Sequence, residues 1–188
     1  MLFGMVMAGL VTFSSCSDDD DEEPEVTTLA GIYSMTEAIT TTDIKDVDGN
    51  VIIPSGSDVT AIMAGGIFGA SPCDNPANSA VDMAEDGKLY FICTGDESDK
   101  EGVDAGSWSE SSDLTTLTLT LNAEVVPGGY VLEIINVTKT GAIVNGTIST
   151  VPLPGALLSQ VEGFEDVEFP FIQLIGAEVE FTQVPEPF

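Results

Sequence analysis

The run Thr116-Leu117-Thr118-Leu119-Thr120-Leu121 limits the fold more than any other part of this chain. In an extended backbone, leucine at every second position puts the apolar side chains on one face and the hydroxyls on the other. Threonine is stiff about χ1 and suits a pleated surface. The segment therefore reads as an antiparallel strand with one buried face. From Leu29 onward the same pattern repeats, as short apolar runs broken by turn residues.

The first strand is expected over Leu29–Thr36. Asp48-Gly49-Asn50 is a turn signal between Thr40-Thr41-Thr42 and Val51-Ile52-Ile53. Residues 58–70 fit either a short helix or a strand, and Gly65-Gly66 weighs against the helix. Ala80–Met83, Glu85-Asp86-Gly87 and Lys88–Cys93 form a hairpin pattern, and Asp96–Glu101 is a charged loop. Ala105–Ser109 opens the strand that precedes the Leu-Thr run. Pro127-Gly128-Gly129 turns into Tyr130–Ile135, and Lys139-Thr140-Gly141 turns into Ala142–Ile148. Pro152, Pro154, Gly155 and Pro170 interrupt this rhythm and leave Ala156–Val161 as a helical turn or two. Ala177–Thr182 is the last expected strand. No repeat of fixed period is present. The expected class is all-β, an antiparallel up-and-down barrel of about eight strands, since closure removes exposed edges. A β-sandwich is the alternative.

Charge narrows the partners. Of 188 residues, 32 are Asp or Glu and four are basic, all of them Lys, for a formal charge of −28. Nothing here neutralises phosphates, so no nucleic-acid partner is expected. Anionic small molecules and lipid headgroups are disfavoured for the same reason, which leaves cations, neutral sugars and apolar molecules. Hydrophobic residues make up 43% of the chain, too many for disorder. Without His there is no imidazole for base catalysis, for zinc, or for a serine or cysteine triad. Without Arg there is no guanidinium clamp. A carboxylate pair could still drive glycoside hydrolysis, but no pair stands out from the scattered acids. A noncatalytic protein without a cofactor is the expectation.

The N-terminal stretch carries a different signal. An apolar run from Met1 to Phe13, too short for a membrane-spanning helix, is closed by Ser14-Ser15 and followed by Cys16. It resembles the lipobox of bacterial lipoproteins. That resemblance implies cleavage before Cys16, lipid on its sulfur and amine, and tethering to a membrane. The competing reading is a buried N-terminal helix with a core cysteine. Ser17-Asp18-Asp19-Asp20-Asp21-Glu22-Glu23 then resembles the export tag of Bacteroidetes surface lipoproteins. Its like charges repel and keep the segment extended, as they would in a plain solvated linker. The expected organisation is a signal peptide at 1–15, a lipidated cysteine and acidic linker at 16–27, and a β domain at 28–188. The expected location is the outer membrane, lipid-anchored, at the cell surface.

Leu29-Ala30-Gly31-Ile32-Tyr33, then Cys73, Asp86-Gly87 opening a strand to Cys93, and Gly106-Ser107-Trp108 before the Leu-Thr strand form an ordered set. The set resembles the lipocalin-like domains of Bacteroidetes lipoproteins, over roughly half of the mature chain. Residues 43–70 and 152–170 then read as insertions. The resemblance implies an eight-stranded up-and-down barrel with an apolar ligand inside. Trp108, Tyr33 and Tyr90, with Phe91 beside them, are the candidates to line such a cavity; the alternative is that they are core. A small apolar or neutral ligand is therefore expected. A structural or adhesive surface module contacting a glycan or a neighbouring protein is the alternative function.

With Cys16 lipidated, Cys73 and Cys93 remain, either as a disulfide, which export favours, or as two buried thiols. Asp43, Asp46, Asp48 and Asn50 cluster around Gly49, and the last three put oxygen atoms at alternate positions, a weak calcium pattern. The closing Glu of a full calcium loop is missing. A hairpin turn closed by side-chain hydrogen bonds accounts for the same residues, and no metal is expected.

Overall fold

The structure is a computed structural model and describes residues 28–126, 128–161 and 163–185. Its strands are β1 (Gly31–Thr40), β2 (Ile44–Lys45), β3 (Val51–Ile53), β4 (Ser79–Met83), β5 (Lys88–Cys93), β6 (Val103–Glu110), β7 (Thr116–Leu121), β8 (Tyr130–Thr140), β9 (Ile143–Pro154) and β10 (Ile172–Gln183). Two short helices join them, α1 (Thr60–Ile67) and α2 (Gly155–Leu158).

Apart from the β2–β3 hairpin, the strands pair antiparallel in chain order, and β1 bonds to both β10 and β4. Among the described residues this makes a closed eight-stranded up-and-down barrel. Closure decides against the sandwich, because every barrel strand has a neighbour on each side. The pleat follows the sequence pattern: Leu117, Leu119 and Leu121 are buried while Thr118 and Thr120 lie on the other face. Leu89 and Phe91 of β5, Leu132 and Ile134 of β8 and Val179 and Phe181 of β10 fill the same interior. Burying each such side chain contributes about 1.5–3 kcal/mol.

The register defines two ends. At one lie Leu29, the β4–β5 turn, the β6–β7 turn and the β8–β9 turn. At the other lie the long β1–β4 and β9–β10 connections. The two stretches read as insertions therefore meet at one end of the barrel and plug it together. Ile62, Met63 and Ile67 of α1 face inward, beside Leu158 of α2. Phe68 meets Phe91 edge to face, with ring centroids 5.6 Å apart. The chain beyond α1 is fixed to the rim by a Cys73–Cys93 disulfide, Cα to Cα 5.5 Å.

Four local expectations change. Residues 60–67 are helical despite Gly65-Gly66, because Gly66 lets α1 press directly against Leu153. The hairpin uses Ile44–Lys45, not Thr40–Thr42, since Thr40 stays in β1 and donates its hydroxyl to Gly176 O at 3.1 Å. β9 runs through both prolines to Pro154. Its register with β8 ends at Ile148, so Pro152 and Pro154 lie on an edge that needs no N–H donors. β10 begins at Ile172 instead of Ala177.

Candidate functional site

The residues named from sequence as ligand-lining do not share a cavity. Tyr33 is inside the barrel and 1% exposed. Tyr90 alternates with buried Leu89 and Phe91 and so lies on the outer face. Trp108 pairs with Leu119 near the end that carries Leu29, and donates its indole N–H to Ala84 O at 2.8 Å. That end is closed by Leu29, which is fully buried and whose N–H donates to Glu110 Oε2 at 2.6 Å. Outside Leu29, an open groove of about 380 Å³ is lined by Trp108, Thr28, Ala30, Glu85 and Glu110.

The interior is packed. Between Tyr33, Val81, Met83, Leu119, Ile134 and Phe181 there remains a void of about 10 Å³. That is about the lower limit for one water and far below the several hundred Å³ of a small-molecule pocket. The Tyr33 hydroxyl is buried with no hydrogen-bond partner. Leaving a buried hydroxyl unpaired costs about 1–3 kcal/mol. The Lys139 ammonium stands 5.7 Å from the centroid of the same ring, a cation–π contact.

The weak calcium loop is a turn. Asp46 Oδ1 accepts the Asp48 and Asn50 backbone N–H groups at 3.0 and 2.8 Å, and Oδ2 accepts Asn50 Nδ2 at 2.8 Å. These bonds, led by the Asn50 side chain, hold the Asp46 carboxyl below its usual range. On the outer wall Glu37 pairs directly with Glu180, and Glu178 lies nearby in a polar groove of about 230 Å³ with Asn136 and Asn145. Among the described residues no cluster of carboxylates or thiols is arranged to hold a metal ion.

The charged loop after β5 is more ordered than its composition suggests. Glu97 accepts N–H groups from Asp74 and Asn75 at 2.6 and 2.9 Å and the Asn78 amide at 2.9 Å, and it pairs with Lys100 at 2.7 Å. Lys100 also reaches Asp74 at 2.9 Å. This network pins the 74–78 segment to the loop after β5, close to the disulfide. Lys100, with the backbone donors behind it, lowers the Glu97 pKa to about 2.

The feature missed in the sequence is apolar and exposed. Phe171 is 90% exposed, Leu174 58% and Ile172 45%, at the start of β10. Val47 and Val51 of the hairpin are also exposed, and the Val47 N–H donates to Glu168 O at 2.9 Å, which ties the hairpin to the chain leading into β10. The available signal was the alternation Ile172-Gln173-Leu174, hidden behind Pro170.

Cys16, the signal at 1–15 and the linker at 16–27 lie outside the described residues. Among the described residues no helix is long and apolar enough to cross a membrane. The class these observations define is a plugged, closed antiparallel β-barrel with a disulfide-fastened cap. No protein-family model and no curated protein matches the chain.

Proposed function

We propose that this chain is an exported, lipid-anchored, noncatalytic β-barrel module that works through its outer surface. The observation that carries the reading is the packed interior: the central void is about 10 Å³, with a plug at either end. The exposed Phe171, Ile172 and Leu174 support it, because isolated apolar side chains are common on surfaces whereas adjoining ones mark contact sites. The resemblance of the Cys16 segment to a lipobox and of the run after it to an export tag supports anchoring at the outer membrane, facing outward.

Two experiments test this. Titrating the intrinsic fluorescence of the single Trp108 with long-chain fatty acids should give no saturable change; saturable binding at one site per chain would overturn the outer-surface reading. Growing cells with radiolabelled palmitate should label the chain, and Cys16→Ala should abolish the label. An unlabelled wild-type chain would remove the anchor.

A second reading has its own observation. The partnerless Tyr33 hydroxyl suits a small, mostly apolar ligand with one polar atom, entering past Leu29 at the barrel end nearer Tyr33. The fatty-acid titration separates the two.

A further inference from the structure

β10 is bonded to β9 from its first residue, but to β1 only from Ala177 onward. At Gly176 the neighbouring chain peels away. Thr41 N–H donates to Gly176 O at 2.8 Å, Gly176 N–H donates to Thr42 Oγ1 at 3.2 Å, and the hairpin follows. Among the described residues no strand pairs with Ile172–Ile175 on that side. The opposite margin of this ribbon belongs to β9, where Pro152 and Pro154 remove the donors an incoming strand would need. One margin of the projecting ribbon is thus blocked and the other open. Open edges are ordinarily blunted with charge or proline. Here Phe171–Ala177 carries neither, in a chain with 32 carboxylates, and its outward side chains are Phe171, Ile172 and Leu174.

We propose that Phe171–Ile175 is a docking edge that takes an extended segment of a second protein as an added antiparallel strand. That partner segment is apolar at alternate positions and basic at its flanks. The proposal rests on the outer-surface reading above. The unpaired backbone calls for amide partners, which a strand supplies and a lipid surface does not. The exposed side chains supply pockets and ridges at alternate positions. Charge selects the flanks. Glu165, Asp166 and Glu168 precede the edge, and the hairpin tip joined to Glu168 carries Asp46 and Asp48 beside the single cation Lys45. A second copy of this chain would bring the same carboxylates face to face, whereas lysines on a partner would meet them.

The test uses the purified full chain and three synthetic peptides. The first alternates valine and threonine between terminal lysine pairs, the second has glutamates in place of the lysines, and the third has prolines in place of the threonines. The lysine peptide should bind, slow amide exchange within residues 172–175, and weaken with added salt. Leu174→Lys, at an exposed position, should cost roughly tenfold in affinity while leaving the melting temperature unchanged. The glutamate and proline peptides should not bind. Equal binding of the lysine and glutamate peptides, binding untouched by Leu174→Lys, or no binding at all would overturn the proposal. So would a dimer in sedimentation that Leu174→Lys dissociates, since the occupant would then be a second copy. Failure here together with a silent fatty-acid titration would leave the outer-surface reading standing and remove only the edge.

Discussion

Gly66 of α1 and Leu153 of β9 touch with no space for a methyl group between them: a Cβ on Gly66 would overlap Leu153 Cδ2. One residue earlier, a Cβ on Gly65 would sit at an ordinary 3.8 Å from Leu157 Cδ1. The two glycines look alike in sequence and differ only in what the barrel places opposite them.

This contact separates two substitutions. Gly65→Ala should stabilise the fold by up to about 1 kcal/mol, the ordinary gain in helix propensity. Gly66→Ala should instead destabilise it by about 1–3 kcal/mol through overpacking, because Leu153 is buried and its Cδ1, Cδ2 and Cγ all crowd the position of the added methyl group. Urea unfolding of both variants reads the opposite signs; equal effects would mean that α1 does not seat against β9.

The Cys73–Cys93 disulfide joins residues 20 apart in the chain and fixes the cap to the rim. Replacing both cysteines by serine should cost about 3 kcal/mol through the freed loop. Thermal unfolding should show the same loss in the wild-type chain under a dithiol and no further loss in the double variant.

Glu97 gives the stability a definite pH dependence. Its carboxyl falls from the usual 4.5 to about 2 in the folded chain, first through Lys100 and then through the backbone donors of Asp74 and Asn75. A depressed acid stabilises the fold above its unfolded value, and that contribution is lost as pH falls through the folded value. The Glu97 contribution should therefore be complete above pH 4.5 and disappear on descending towards pH 2. Acid titration of Glu97→Gln should show a shallower loss over that window, and an unchanged slope would count against the network.

Tyr33→Phe tests the interior. With the hydroxyl unpartnered, its removal should leave stability unchanged or raise it by up to about 1–3 kcal/mol. A clear loss of stability would mean that the hydroxyl has a partner in solution, which would favour the interior-ligand reading over the outer surface.

The class of fold was legible because it rests on short-range pattern. The Leu117–Leu121 alternation, the Glu85-Asp86-Gly87 turn and the strands around them need only the period of an extended chain. The disulfide followed from counting thiols after the lipobox resemblance had claimed Cys16. The candidate site was less legible. Trp108, Tyr33 and Tyr90 were grouped by aromatic chemistry, but strand parity sends Tyr90 outward, and Trp108 lines a groove outside Leu29 while Tyr33 is buried in the interior. Asp46 and Asn50 had the atoms of a cation loop, and local backbone donors used them.

By itself, the sequence determined the β grammar, the turns, the absence of imidazole and guanidinium chemistry, and the acidity, since each depends on residue identity or on neighbours a few positions away. Only the tertiary structure decided that residues 60–67 are a helix, that two distant insertions plug one barrel mouth, and that β10 outruns β1 to leave one margin of Ile172–Ile175 open. Those outcomes depend on which strands become neighbours and where their register ends, and such contacts between residues far apart in the chain leave no periodicity in it.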